Sequence, residues 1–350
     1  MAETVNDYLK KLSEMHAPSG MEEEVAAFME RELSKNGFET ERDVLGNVIA
    51  RKGRGKKVLV AAHMDEPALA VSSITKEGFL KFVKVGGIFD GILPNTRVVV
   101  HARERLTGVI GSKPPHLMKE DEQKKVVEFD QLCVDVGAAS ADEARKMGVR
   151  PGTFITFDST YREMNGGLAV GKAFDDRSGC AALLLLASKL KNFDGCEACL
   201  VGTIREETGL YGAAAAAFKL EPDLAISLDV TLAGGTPDVS EEKIPVKLGG
   251  GPALGVIEGS GRGLIMSNRL IQWTEKIAAA KKIPFQFEVA ERGRSDASSM
   301  QYSRAGILAA SIGIPSRYIH SQNEVVHLKD VENASLLAEA LVKEFPAYKP

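Results

Sequence analysis

The order of helix-like and strand-like segments is the feature that most limits what this chain of 350 residues can fold into. From Gly166 onward, helical segments alternate with short apolar strands, and residues 1–69 have the same character. Alternation of this kind predicts helices packed on a largely parallel sheet. We therefore expect a three-layer α/β/α domain around a mixed, largely parallel sheet.

Residues 70–163 interrupt this pattern. Short alternating runs such as GFLKFVKVGG, RVVVHARE, KVVEFDQLCVDVG and GTFITFDS are joined by turns that contain Gly, Pro and Asn. This spacing predicts a small β-rich module, of the kind that closes into a compact barrel. The expected organisation is a discontinuous domain, residues 1–69 and 164–350, with residues 70–163 inserted between its two parts.

Composition limits the partners. A hydrophobic fraction of 44%, a charged fraction of 26% and a formal net charge of -4 are typical of a soluble globular protein. This mild acidity argues against nucleic acid or an anionic membrane as a partner. The N-terminal segment has no signal-peptide core, and no apolar run approaches the ~20 residues needed to cross a bilayer. These features predict a cytoplasmic protein.

Acidic and histidine motifs stand where predicted strands end or where a helix begins. They are His63-Met64-Asp65, Asp175-Asp176, Glu206-Glu207, Asp229 and His320. Each motif alone has a structural explanation, such as a helix N-cap for the Asp-Asp pair. However, open α/β sheets bind their ligands at the carboxyl ends of strands. Imidazoles and carboxylates without cysteine suit zinc, cobalt or manganese, so the motifs together predict a metal site.

Glu206 and Glu207 raise a separate question. Adjacent residues of a strand point to opposite faces, and two neighbouring carboxylates repel each other. The pair is either a solvated turn or the acidic corner of a site in which the two carboxylates have different roles.

Five segments together resemble a known family. In chain order they are AAHMDE, KAFDDRSGCA, IREETGLYGA, SLDVTLAG and SRYIHSQNEVVHLKD. They closely resemble the tetrahedral aminopeptidases, which are dinuclear metallo-aminopeptidases of bacteria and archaea that assemble as hollow dodecamers. GSKPPHLM and VDVGAASADEARKMGVRPGT extend the resemblance into residues 70–163, so that it covers most of the chain. Relatives have also been labelled endoglucanases.

The resemblance implies a ligand set for each of two divalent metal ions. His63, Asp175 and Asp229 would bind one ion. Asp175, Glu207 and His320 would bind the other, with Asp175 as the bridge. The ions are expected to be zinc or cobalt, and manganese suits the same ligands.

The resemblance also implies roles for residues beside the ligands. Asp65 would orient His63 through its other ring nitrogen, and the peptide bond between Asp175 and Asp176 would be cis. Glu206 would be the general base. Two divalent ions and three ligand carboxylates leave one positive charge, so a bridging water would become hydroxide near neutral pH. Glu206 can accept its second proton and pass it to the leaving amine.

The predicted protein is therefore a metal-dependent aminopeptidase that removes N-terminal residues from short peptides, and the resemblance implies a homododecamer built from dimers. One alternative is a related metal amidohydrolase acting on small N-acyl amino acids. Another is a catalytically silent homologue that acts as a binding or scaffold subunit. A glycosidase needs two carboxylates about a sugar bond and no paired histidine ligands, so His63 and His320 argue against it.

Overall fold

The computed structural model describes residues 3–349. The α-helices in this range are α1 (Val5–Glu14), α2 (Glu23–Lys35), α3 (Glu120–Gln123), α4 (Ala141–Lys146), α5 (Phe174–Lys189), α6 (Tyr211–Leu220), α7 (Asn268–Lys281), α8 (Asp296–Met300) and α9 (Leu328–Glu344). None of them combines the length and the apolar character that crossing a membrane requires.

The strands in the same range form one large sheet and one barrel. They are β1 (Glu39–Arg42), β2 (Val48–Lys52), β3 (Lys57–His63), β4 (Ala68–Ile74), β5 (Leu80–Val85), β6 (Thr96–His101), β7 (Arg105–Gly111), β8 (Cys133–Asp135), β9 (Phe154–Phe157), β10 (Arg162–Glu163), β11 (Leu168–Gly171), β12 (Glu197–Thr203), β13 (Leu224–Leu232), β14 (Ala253–Ile257), β15 (Gln286–Val289), β16 (Leu308–Arg317) and β17 (Glu324–His327).

The large sheet has the strand order β1-β2-β12-β3-β13-β16-β17-β11-β10, and β14 and β15 branch from β16. The central strands β12, β3, β13 and β16 run parallel to one another, whereas the pairings at both flanks are antiparallel. Helices α1, α2, α5, α7 and α9 pack as one group, and α6 and α8 pack as another. The predicted α/β class with a mixed sheet is confirmed, and its parallel part is concentrated in the centre.

Strands β4, β5, β8, β7, β6 and β9 close into a barrel. Its own core is formed by buried apolar side chains, among them Leu80, Val98, Val100, Ile110 and Val134. The predicted barrel-like module is therefore confirmed.

One predicted strand of the barrel is much shorter than its sequence pattern. Of the run KVVEFDQLCVDVG, only Cys133–Asp135 is a strand, and Phe129–Gln131 forms a turn of 3-10 helix. The backbone N–H of Phe129 donates to the Asp90 carboxylate at 3.0 Å, which ties this segment to a loop instead of to a neighbouring strand. The alternating pattern therefore overstated the length of β8.

Two histidines meet at a junction between the barrel and the segment after α1. The Thr156 hydroxyl lies 2.8 Å from His16 Nδ1 and 2.8 Å from His101 Nε2. A hydroxyl can donate to one ring and accept from the other, which satisfies all three groups while both rings are neutral. Burial lowers the pKa of His16 to about 3 and that of His101 to about 4. The folded state therefore favours the neutral form of both histidines.

This junction predicts a loss of stability in mild acid. In the unfolded chain, both histidines take up protons below about pH 6.5. The folded state resists those protons because both pKa values are lowered, so the free energy of unfolding falls as the pH falls from about 6.5 towards 4. Urea unfolding midpoints at about pH 7.5 and about pH 5 should therefore differ less in His101→Asn than in the wild type. His116→Asn, which changes an exposed histidine, is the control. An equal shift in His101→Asn and the wild type would contradict this account.

Candidate active site

The candidate site lies at the carboxyl edge of the parallel central strands. His63 is the last residue of β3, and β12, its parallel neighbour, ends just before Glu206 and Glu207. Asp229 lies in the second half of β13, and His320 follows β16. Parallel pairing aligns the carboxyl ends of strands at one edge. The motifs predicted from the sequence to share an edge are therefore brought together.

Asp175 enters the site from the beginning of α5 and lies between the two imidazoles. Its Oδ1 is 2.9 Å from His63 Nε2, and its Oδ2 is 3.1 Å from His320 Nε2. The peptide bond between Asp175 and Asp176 is cis, as the resemblance implied. The Asp175 carboxylate is thus the group that the two halves of the site share.

The other carboxylates surround this centre. Glu207 Oε2 lies 3.4 Å from His320 Nε2. On the opposite side, Glu206 Oε2 and Asp229 Oδ1 each lie 3.8 Å from His63 Nε2. Three groups of residues result, and within each group the donor atoms lie within 4.8 Å of one another. The groups are His63 with Asp175 and Asp229, Asp175 with Glu207 and His320, and His63 with Glu206 and Glu207.

The backbone after β12 explains how two adjacent glutamates face one site. Arg205 has a φ of 53°, in the left-handed region, so the extended strand geometry has ended before Glu206. The two side chains are thereby released from the alternation of a strand. Glu206 reaches the His63 side and Glu207 reaches the His320 side.

Asp65 supports both His63 and this turn. Its Oδ1 lies 3.4 Å from His63 Nδ1, and its backbone carbonyl oxygen lies 3.2 Å from the same nitrogen. Its carboxylate also accepts hydrogen bonds from the backbone N–H groups of Glu206, at 3.0 Å, and Glu207, at 3.3 Å, and from the Ser19 hydroxyl at 2.6 Å. The sequence indicated the first contact only.

Electrostatics distinguish the carboxylates. Burial raises the pKa of Glu207, and it raises the pKa values of Glu206 and Asp229 well above their ordinary range. Burial acts on Asp175 in the same direction, but hydrogen bonds from His320 and His63 outweigh it and lower the pKa of Asp175. Within residues 3–349, no Lys or Arg forms an ion pair with any of these four groups.

The donor set fits divalent cations. Glu207 Oε1 is buried and has no hydrogen-bond partner among residues 3–349, which is costly for a carboxylate oxygen unless a cation binds it. Although burial opposes it, hydrogen bonds to Asp175 and Glu207 raise the pKa of His320 to about 12. A metal ion would displace this proton and take over its role of neutralising the carboxylates. Imidazole and carboxylate donors without thiolate match zinc, cobalt and manganese.

Two buried acids near the site have contacts that the sequence did not indicate. Asp176 accepts the backbone N–H of His63 at 3.1 Å and that of Gly179 at 2.9 Å. Asp296 accepts the Thr203 hydroxyl at 2.6 Å. The contacts with His63 and Thr203 have no sequence signature, because each depends on where a distant segment folds. The contact with Gly179 is the local helix-cap contact that the sequence suggested for the Asp-Asp pair.

Comparison with known proteins identifies the family to which the chain is similar. The family described as M42 glutamyl aminopeptidase matches residues 46–337. The lysyl aminopeptidase of Pyrococcus furiosus is 36% identical over 348 residues, which cover 97% of this chain and 96% of that protein.

Two solved structures are similar over almost the whole chain. An aminopeptidase of the archaeon Desulfurococcus kamchatkensis has a TM-score of 0.92 and 39% identity, and the match covers 97% of this chain and 94% of that one. The TET1 peptidase of Pyrococcus horikoshii has a TM-score of 0.87 and 34% identity, with 97% and 100% covered. The resemblance seen in the sequence is confirmed, and the protein is a peptide-hydrolysing aminopeptidase. The chain belongs to the M42 glutamyl aminopeptidase family, a family of metallopeptidases.

Proposed function

We propose that this aminopeptidase trims short peptides with two divalent metal ions per subunit and with Glu206 as the general base. The observation that carries the proposal is the presence of two ligand-capable groups that share Asp175. They are His63, Asp175 and Asp229, and Asp175, Glu207 and His320. Zinc or cobalt are the proposed ions, with manganese compatible with the same donors.

Divalent ions at these positions supply Lewis acidity, which activates water and polarises the scissile carbonyl. The protein residues hold and complement them. His63 and His320 offer their Nε2 atoms to opposite oxygens of Asp175, which supports a bridging role for that carboxylate. Asp65 holds His63 at its other nitrogen and thereby orients the ring.

Glu206 belongs to neither of the two groups that share Asp175, and its side chain is 11% exposed, so a substrate can reach it. Burial raises its pKa in the metal-free protein, and divalent ions bound beside it would lower this pKa again and keep the carboxylate ionised, as a base requires. Glu206 can therefore take a proton from the attacking water and deliver it to the leaving amine. Asp65 fixes its backbone N–H while this happens.

Family membership favours peptide hydrolysis over the alternatives indicated by the sequence. An amidohydrolase acting on N-acyl amino acids would need a cationic clamp for the substrate carboxylate. The family that matches residues 46–337 is a family of aminopeptidases and not one of such amidohydrolases. A silent scaffold subunit would not require the complete set of donors that is present here.

We also propose a cytoplasmic homododecamer built from dimers, in which residues 70–163 serve assembly and access. The TET1 peptidase of Pyrococcus horikoshii can assemble into a tetrahedron or a large octahedral shell. The inserted segment carries large apolar side chains that are exposed in a single chain, among them Phe79, Val83, Phe89 and Val109. Contacts between subunits would cover such groups.

The first test of this proposal is Glu206→Gln. The amide cannot accept the proton, so kcat for a free-amine peptide should fall by roughly 10²–10⁴-fold while both metal ions are retained. Elemental analysis after dialysis measures the metal content. Glu207→Gln is the matched comparison, because it should lose metal as well as activity. Survival of activity in Glu206→Gln would refute the assignment of the base.

The second test concerns the substrate. Protein loaded with cobalt or zinc should cleave free-amine peptides, and N-acetylated versions of the same peptides should remain intact, as should a carboxymethylated glucan. A free amine is the group that confines cleavage to the N-terminal residue. Liquid chromatography of the products measures each reaction, and a chelator-treated sample serves as the control. Turnover of the acetylated peptides at the same rate as the free-amine peptides would refute the proposal.

The third test concerns assembly. Analytical ultracentrifugation at neutral pH should give a mass near twelve times the chain mass of 37.6 kDa. A lower concentration should release dimers before monomers. A monomer that is fully active at all concentrations would contradict the proposed dodecamer without affecting the proposed chemistry.

A further inference from the structure

Glu324 is a buried carboxylate that joins two parts of the active site. It is the first residue of β17 and is 1% exposed. Its Oε2 accepts the backbone N–H of Asp175 at 2.8 Å, and its Oε1 accepts the backbone N–H of His320 at 2.8 Å. One rigid group therefore ties together two residues whose side chains meet in the site.

We propose that Glu324 is a positioning residue for one of the two metal sites, the one formed by Asp175, Glu207 and His320. This inference rests on the proposed two-metal function. Glu324 acts through the backbones of two ligands and itself touches neither substrate nor metal.

His320 needs such support because its backbone is strained. Its φ of 62° lies in the left-handed region, which a residue other than glycine adopts only where its surroundings hold it. Its side chain is 35% exposed, so packing alone does not fix it. Two hydrogen bonds do so: the N–H donates to Glu324, and Nδ1 lies 2.6 Å from the carbonyl oxygen of Gly87. Together they aim Nε2 at the ligand carboxylates.

Asp175 needs support for a different reason. It stands in the first turn of α5, where backbone N–H groups have no partner within the helix. Glu324 accepts this N–H, which leaves the Asp175 carboxylate free to contact both imidazoles. The distance of 3.1 Å between Asp175 Oδ2 and His320 Nε2 thus depends on one acceptor that sets both backbones.

The other proposed metal site is held by different groups. The backbone N–H of His63 donates to Asp176 at 3.1 Å, and the His63 ring is held at Nδ1 by Asp65. Asp229 Oδ1 accepts the N–H of Val230 at 2.7 Å. Since Glu324 contacts only the shared ligand of this site, its loss should weaken the His320 site more than the His63 site.

The experiment is a cobalt titration of metal-free protein by isothermal calorimetry, with stoichiometry checked by elemental analysis. An amide has one acceptor oxygen and one donor nitrogen, so Glu324→Gln leaves one of the two backbone N–H groups facing a donor. Wild-type protein should bind two cobalt ions. In Glu324→Gln, one ion should bind as in the wild type and the other about 10–100-fold more weakly. Activity should recover at a cobalt concentration that saturates the weakened site.

Asp330→Asn is the matched control. Asp330 is also fully buried, and its carboxylate also accepts two backbone N–H groups, those of Gly249 at 2.6 Å and Gly251 at 2.9 Å. It contacts none of the proposed ligands. This variant should unfold at a lower urea concentration than the wild type and should still bind two cobalt ions with wild-type affinity.

The outcomes separate this inference from the proposed function. Two cobalt ions bound with wild-type affinity by Glu324→Gln would overturn the inference, as would equal weakening by Asp330→Asn. If Glu324→Gln fails to fold, Glu324→Asp is measured instead. Its shorter carboxylate should weaken cobalt binding at the His320 site to a smaller extent than the amide would. Wild-type affinity in Glu324→Asp would then overturn the inference. Wild-type protein that binds fewer than two ions, or cleaves no free-amine peptide, would instead refute the proposed function.

Discussion

The concentration of buried negative charge at one sheet edge is the constraint on which the rest of the site depends. Asp175, Glu206, Glu207 and Asp229 converge there without a Lys or Arg partner in residues 3–349. Carboxylates repel strongly when water is excluded, so such a cluster is stable only if protons or cations bind it. The raised pKa values correspond to neutralisation by protons, and bound divalent ions would neutralise the carboxylates instead. Metal binding and the stability of this edge should therefore be coupled.

The acids that orient the cluster obey a common rule: they accept backbone N–H groups of the residues that face it. Asp65 holds the turn of the two glutamates, Asp176 holds His63, and Glu324 holds Asp175 and His320. This arrangement leaves the side chains at the centre free for ligand and base chemistry. Although burial opposes it, hydrogen bonding to His63 lowers the pKa of Asp65, so this group also adds negative charge close to the centre. In Asp65, orientation and charge are thus supplied by the same group.

The barrel takes part in this arrangement. The carbonyl oxygen of Gly87, in the loop after β5, accepts from the His320 ring, so a barrel loop fixes a proposed ligand. At the base of β4, Glu66 is fully buried and lies 2.7 Å from Lys172 and 3.3 Å from Arg177. Although burial opposes it, these two cations lower the pKa of Glu66 to about 2. The buried cluster of Glu66, Lys172 and Arg177 therefore ties the start of β4 to α5 and to the segment that precedes α5.

A site residue could be predicted from the sequence when its position relative to a nearby strand identified it, and could not when its contacts depend on distant segments. His63, Glu206 and Glu207 were predictable because each ends or follows an apolar strand, and the alternation of elements places those ends at one edge. Glu324 was not, because its partners lie 149 and 4 residues away along the chain, and only the folded loops bring their N–H groups to one carboxylate. The shortening of β8 has the same origin, since a loop acceptor competes with strand pairing. The residues at strand ends that we propose as ligands and base leave a pattern in the sequence, whereas a positioning group such as Glu324 is visible only in three dimensions. A search for positioning groups should therefore begin from buried acceptors of backbone N–H groups that belong to ligands.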